Sequence, residues 1–114
     1  MRRIIDLIHL ERPGLPIVLT LSPVPLRATF EPISCFAADC LSKSILRAAI
    51  GEVTAGSQAA NVHYWPSFEI VRWMGGHLAV SMYGEDGNTR HVNRFAVKMI
   101  VDSFMRHYYS DMPR

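Results

Sequence analysis

Two short apolar runs stand out along the chain because they lack alternating polar positions. Residues 17–21 (IVLTL) form the first run, between prolines, and residues 62–65 (VHYW) form the second, which ends at Pro66. Apolar runs without alternation are typical of strands that are buried on both faces of a parallel sheet. The pattern therefore predicts two buried strands, the first followed at once by the proline-rich segment S-P-V-P.

The regions before and between these runs have apolar residues at helical spacing. A helix is predicted for residues 1–11, which ends at the motif R-P-G. A second helix is predicted for residues 37–53, with Ser34 or Asp39 as its N-cap. Its apolar residues recur every four positions, and we expect this stripe to face the core. The stripe consists of Leu41, Ile45, Ala49 and Val53.

The second half of the chain predicts less regular structure. Residues 54–61 are small and polar and predict a loop, and residues 66–74 predict a short helix that begins at Pro66. The glycine-rich residues 75–89 predict mostly loop. A final helix follows, with Asn93 as N-cap. Its apolar stripe consists of Val97, Ile100, Val101, Phe104 and Tyr108.

Alternating helices and strands predict an α/β fold in which helices cover a parallel sheet. Two short strands are few, because an open doubly wound sheet normally has about five. We therefore expect residues 1–114 to form a single partial domain, equivalent to the second half of a larger sheet.

Composition and charge exclude several classes of protein. The net charge is +2 with scattered basic residues, so nothing indicates nucleic-acid binding. No run reaches the roughly 18 apolar residues of a membrane span, and we expect a cytoplasmic protein. The spacing of the cysteines and histidines fits no common metal or redox motif, so no metal and no cofactor is expected.

His91 is the strongest candidate for a catalytic residue. It follows an acidic loop and precedes the last predicted helix, an arrangement in which a carboxylate can bind one ring nitrogen while the other accepts a proton. Asp86 is the first candidate to orient the ring, Glu85 the second and Asn88 the third. Asn88 is also a candidate to line the substrate cleft.

Candidate nucleophiles and anion-binding residues are weaker. The chain has no G-x-S-x-G elbow. Ser22 follows the first strand, where α/β sheets bind ligands, but Pro23 cannot supply the backbone N–H that an oxyanion hole uses. Lys43, on the second helix, is a candidate to contact an anionic substrate, although a solvated basic face is the better explanation for it.

Four segments, in order, resemble the GSCFA domain, a bacterial branch of the SGNH/GDSL-like hydrolases. The segments are LTLSPVPLRATF, SKSILRAAIGEV, VHYWPSFEIV and DGNTRHVNRFAV. Together they cover about residues 15–105. The resemblance implies a three-layer αβα, flavodoxin-like parallel sheet, an acyl-ester hydrolase or acyltransferase activity, a carbohydrate or lipid ester as substrate, and a catalytic role for His91.

The resemblance also implies that part of the domain is missing from this sequence. The family is named after a G-S-C-F-A motif near its N-terminus, which carries the presumed nucleophilic serine. Residues 34–37 spell S-C-F-A, but Ile33 replaces the glycine and the motif follows the first strand, so we interpret it as coincidence. The family places the acid three residues before the histidine. Here Asp86 lies five residues before His91, and Asn88 lies three before it.

Two hypotheses follow from these observations. The first is the C-terminal portion of an SGNH-like enzyme, inactive without a serine segment and in need of an N-terminal half or an oligomer to complete its sheet. The second is a non-catalytic interaction module, or a remnant of the fold that has lost its chemistry.

Overall fold

The computed structural model describes residues 1–56 and 61–109. Its elements confirm a mixed α/β fold in which helices flank a two-stranded parallel sheet. In chain order they are α1 (Arg2–Glu11), β1 (Ile17–Thr20), α2 (Cys35–Ala55), β2 (Val62–Trp65), α3 (Ser67–Arg72), a 3-10 turn (Met74–His77) and α4 (Arg94–Tyr108).

β1 and β2 pair in parallel, with Ile17 opposite Val62 and Thr20 opposite Trp65. The connection between them contains α2, since parallel neighbours require a long crossover. Residues 17–19 are half-buried, so the prediction of a strand buried on both faces is wrong in this structure. Within the described residues the sheet has only these two strands, so each has an unpaired edge and is covered by fewer neighbours than a strand inside a larger sheet.

The start of α2 is set by Ser34, whose Oγ accepts a hydrogen bond of 3.2 Å from the backbone N–H of Ala37. The alternative cap, Asp39, lies inside the helix and is buried. Residues 54–55, predicted as loop, belong to the last turn of α2. The rest of that predicted loop includes residues 57–60, which lie outside the described residues.

The predicted apolar stripe of α2 is wrong in its first half. Leu41 and Ile45 are 55% and 61% exposed, whereas Ala38 and Ile50 are buried. Apolar residues therefore lie on more than one face of this helix. Although α2 has 21 residues, neither it nor another helix in the described ranges has the combined length and apolarity to cross a bilayer.

The described chain forms two compact units. The first comprises Met1–Leu21 and Ala28–Trp65, and the second comprises Ser22–Arg27 and Pro66–Arg114. The segments that follow β1 and β2 in the chain both belong to the second unit, as does the loop that carries His91.

The core of the second unit is small. Val71 of α3, Met82 and Ala96 of α4 are buried, and half-buried apolar side chains pack against them. The predicted stripe of α4 is partly wrong, because Val97 and Val101 are about half exposed. The packed half-buried residues are Tyr83, Val92, Met99 and Ile100.

Candidate active site

Residues 85–91 form a loop, the candidate loop, whose two ends are joined by backbone pairing. Tyr83 and Val92 form an isolated antiparallel bridge, and the N–H of Gly84 donates to the carbonyl of His91 at 3.1 Å. Both bridge residues pack on the core of the second unit. The loop is therefore held at both ends by buried structure, although its own residues are mostly exposed.

Asp86 and His91 are in direct contact on this loop. Oδ2 of Asp86 lies 2.7 Å from Nδ1 of His91, and Oδ1 of Asp86 accepts a hydrogen bond of 3.0 Å from the N–H of Asn88. In the neutral ring, a proton on Nδ1 leaves the lone pair on Nε2. This is the geometry in which a carboxylate fixes the tautomer of a histidine that acts as a base.

Asn88 contacts the opposite side of the same ring. Its Nδ2 lies 3.2 Å from Nε2 of His91, and its Oδ1 accepts a hydrogen bond of 3.1 Å from the N–H of Arg90. Because Oδ1 is already an acceptor, the amide presents its NH₂ group to the ring. Asn88 thus favours a lone pair on Nε2, the nitrogen that would accept a proton from a nucleophile.

Glu85 bonds α4 rather than the histidine. Its two carboxylate oxygens accept hydrogen bonds from the backbone N–H and the Nε of Arg94, at 2.8 and 2.7 Å. The side-chain bond to Arg94 is the main reason that the pKa of Glu85 is lowered. The carboxylate is well placed at a helix N-terminus, where the first N–H groups lack partners.

Asn93 occupies the predicted N-cap position of α4 but does not cap with its side chain. Its Oδ1 accepts a hydrogen bond of 2.7 Å from the N–H of Glu85, and its Nδ2 donates to the carbonyl of Ser81 at 2.8 Å. Asn93 is buried. Asn93 therefore joins Glu85, in the candidate loop, to Ser81, which directly precedes the core residue Met82.

The pKa of Asp86 is lowered below the ordinary 3.8, first by the hydrogen bond from His91 and next by that from the N–H of Asn88. A carboxyl group whose pKa is lower in the folded state stabilises that state fully at pH values above its unfolded pKa. This stabilisation is lost as the pH falls through the lowered pKa. We therefore expect the contribution of Asp86 to the stability of the loop to be lost in acid, below the ordinary pKa of 3.8.

Substitution of His91 by alanine is expected to raise the midpoint of the Asp86 titration back towards 3.8, because the largest cause of the shift is removed. The measurement is the pH dependence of the Asp86 ¹³Cγ chemical shift. His77→Ala, which removes an exposed histidine outside the loop, is the matched control and should leave the midpoint unchanged. Equal midpoints in wild type and His91→Ala would contradict the assigned cause.

An apolar cavity of about 490 Å³ opens beside the Asp86–His91 pair. Most of its lining comes from aliphatic side chains of the S-P-V-P segment and α4, and one hydroxyl comes from the start of α3. The lining residues are Pro23, Val24, Ser67, Asp86, His91, Val92, Val97, Ile100 and Val101.

A second cavity, of about 560 Å³, shares Asp86 with the first and is polar. Its walls are the turn of the candidate loop and two arginines. The lining residues are Arg27, Asp86, Gly87, Asn88, Thr89 and Arg90.

Two of the residues predicted for the substrate cleft do not line either of these cavities. Ser22 lines neither of them, and its Oγ accepts a hydrogen bond of 3.3 Å from the N–H of Val24. Lys43 lies on α2 in the first unit and also lines neither cavity. Within the described ranges, no three His, Cys, Asp or Glu side chains are grouped closely enough to hold a metal ion.

Sequence reasoning missed Ser67, Arg27 and Arg90. Ser67 directly follows Pro66 at the end of β2, which is a position where α/β proteins place ligand-contacting residues. The arginines carried no comparable signal. Arg90 reaches the S-P-V-P segment through a hydrogen bond of 3.0 Å from its Nε to the carbonyl of Pro25, a contact between residues far apart in sequence.

Comparison with known proteins identifies one family. The model of the GSCFA family matches residues 1–104, which includes all of α1 and α4 as far as Phe104. No curated protein and no solved structure matches the chain. Because the family match covers most of the 114 residues, the chain belongs to the GSCFA family.

Proposed function

We propose that this chain carries the general base and its orienting acid for an SGNH-like active site that hydrolyses an acyl ester or transfers its acyl group. The observation that supports this most directly is the 2.7 Å contact between Oδ2 of Asp86 and Nδ1 of His91. Membership of the GSCFA family and the apolar cavity beside the ring agree with it. In this proposal the sheet is part of a three-layer αβα arrangement, and the chain corresponds to the C-terminal portion of the domain.

His91 acts as the general base and Asp86 as its orienting acid. A serine hydroxyl transfers its proton to Nε2 of His91 while its oxygen attacks the ester carbonyl. Asp86 stabilises the imidazolium that forms, and Nε2 then returns the proton to the departing alcohol. A water molecule or a second alcohol takes the acyl group from the serine in the reverse sequence. Since Asn88 now contacts Nε2, its amide must move aside for the serine.

The nucleophile in this proposal comes from a segment with the G-S-C-F-A motif, which the 114-residue sequence does not contain. The S-C-F-A at residues 34–37 does not replace it, because Ser34 caps α2. The same additional segment, or an oligomer, would supply further strands to the sheet. The expected substrate is an ester of a carbohydrate or a lipid.

The chain alone is expected to hydrolyse p-nitrophenyl acetate no faster than the buffer. Addition of an N-terminal GSCFA segment that carries the serine is expected to restore turnover, and His91→Ala should lower the restored rate by roughly 10²–10⁴-fold, the usual contribution of a general base. His77→Ala is the matched control. If the isolated chain hydrolyses the ester and His91→Ala abolishes this turnover, the expectation that the chain is inactive alone is wrong. If the restored activity does not depend on His91, this residue is not the general base.

The alternative function is a non-catalytic interaction module. The exposed Leu41 and Ile45 on α2 favour it, because a helix that is apolar on more than one face normally packs against more than one neighbour. A cooperative monomer that never gains activity with the serine segment would support this alternative. If the isolated chain aggregates and the serine segment prevents this aggregation, the enzyme function is supported.

A further inference from the structure

Two arginines share the polar cavity next to the candidate catalytic pair. Arg27 and Arg90 both line it, together with Asp86 and the turn formed by residues 87–89. Asp86 also lines the apolar cavity. The two cavities therefore adjoin at this carboxylate.

The guanidinium of Arg90 is held by a hydrogen bond at one of its nitrogens. Its Nε donates to the carbonyl of Pro25 at 3.0 Å, and the residue is half-buried. Within the described ranges, neither Arg90 nor Arg27 has a carboxylate within ion-pair distance. Two other basic residues of the second unit do have such partners, since Arg94 pairs with Glu85 and Lys98 pairs with Asp102.

The charges of the polar cavity do not cancel. Arg27 and Arg90 contribute two positive charges, and Asp86 contributes one negative charge that is already directed to His91 and the N–H of Asn88. Guanidinium groups present several donors in one plane, and they bind phosphate and carboxylate groups through paired hydrogen bonds. The unpaired cationic excess therefore fits an oxyanion rather than a neutral sugar.

We propose that the polar cavity binds an anionic group, phosphate or carboxylate, through Arg27 and Arg90. This binding can be tested without any catalytic activity. That the anion is part of the substrate rests on the proposed function. The substrate would then be an ester that carries a negatively charged group.

The test is an NMR titration of the complete chain with inorganic phosphate and, separately, with acetate. Saturable shifts are expected for the N–H groups of Gly87 and Thr89 and for the Nε–H of Arg90. Arg27→Gln is expected to weaken binding by about tenfold or more, since it removes a hydrogen bond between charged groups. Sodium chloride at equal ionic strength controls for general screening.

Arg106→Gln is the matched control, because Arg106 lies on α4, lines neither cavity and donates to the carbonyl of Asp102. Arg27→Gln is the decisive variant, because Arg90→Gln also removes the bond to Pro25. Saturable binding of either anion supports the proposal, and the tighter one identifies the charged group. Shifts that chloride reproduces, or equal weakening by Arg106→Gln, would overturn it. The hydrolysis test uses an uncharged ester, so the two proposals fail separately.

Discussion

Substitution of Met82 by alanine is expected to destabilise the second unit by about 2–5 kcal/mol, the usual range when a buried methionine is truncated. Met82 is 4% exposed and packs with Val71 and Ala96 in a cluster of only three buried residues. Few neighbours are available to fill the cavity that the substitution leaves. The result should be a lower midpoint of denaturant unfolding with little change in slope.

Met82→Leu is the control for this experiment. It keeps most of the side-chain volume, so its expected cost is below about 1.5 kcal/mol. The fluorescence of Trp73, which lies directly after α3, reports on the second unit during unfolding when it is measured in a Trp65→Phe background. If Met82→Ala lowers the free energy of unfolding no more than Met82→Leu does, the three-residue cluster is not the core on which the candidate loop depends.

Substitution of Asn93 by alanine is expected to cost about 1–3 kcal/mol, because a buried side chain with two hydrogen bonds is removed. The N–H of Glu85 and the carbonyl of Ser81 would then lose their partners. Glu85 is the first residue of the candidate loop, and Ser81 precedes the loop. We therefore expect faster exchange of the Glu85 amide hydrogen and a weaker Asp86–His91 contact.

Asn88→Ala provides the comparison for Asn93→Ala, since it removes an asparagine side chain from an exposed position within the candidate loop. Its expected effect on the free energy of unfolding is within about 0.5 kcal/mol, as for most surface substitutions. Amide hydrogen exchange with mass spectrometric or NMR detection measures both variants. Equal exchange rates for the Glu85 amide in the two variants would show that Asn93 does not hold the loop.

The order of helices and strands could be predicted from the sequence because each element has a local signal. Burial could not be predicted in the same way. The spacing of Leu41 and Ile45 shows that they share a face of α2, but it does not show whether another element covers that face. In the described residues both side chains are exposed. The two strands are only half-buried for the same reason, since few elements pack around them.

The candidate site was predictable only in part. The sequence brings Glu85, Asp86 and Asn88 close to His91, but spacing cannot decide which of them faces the ring. The backbone decides it: Gly87 has a φ of 83°, a left-handed conformation that glycine adopts readily, and it turns the chain between Asp86 and Asn88. Asp86 then meets one ring nitrogen and Asn88 the other. Contacts such as Arg90 with Pro25 depend on tertiary folding and leave no local pattern.

The parallel pairing of β1 with β2 has a consequence for the speed of folding. Thr20 and Trp65, at the ends of the two strands, are 45 residues apart in sequence, and only four residue pairs form when the strands meet. The entropy of closing this long connection is lost before those few pairs can compensate for it. We therefore expect α1 and α2 to form early and the sheet to form late. A newly synthesised chain would thus expose unpaired strands until the sheet has formed.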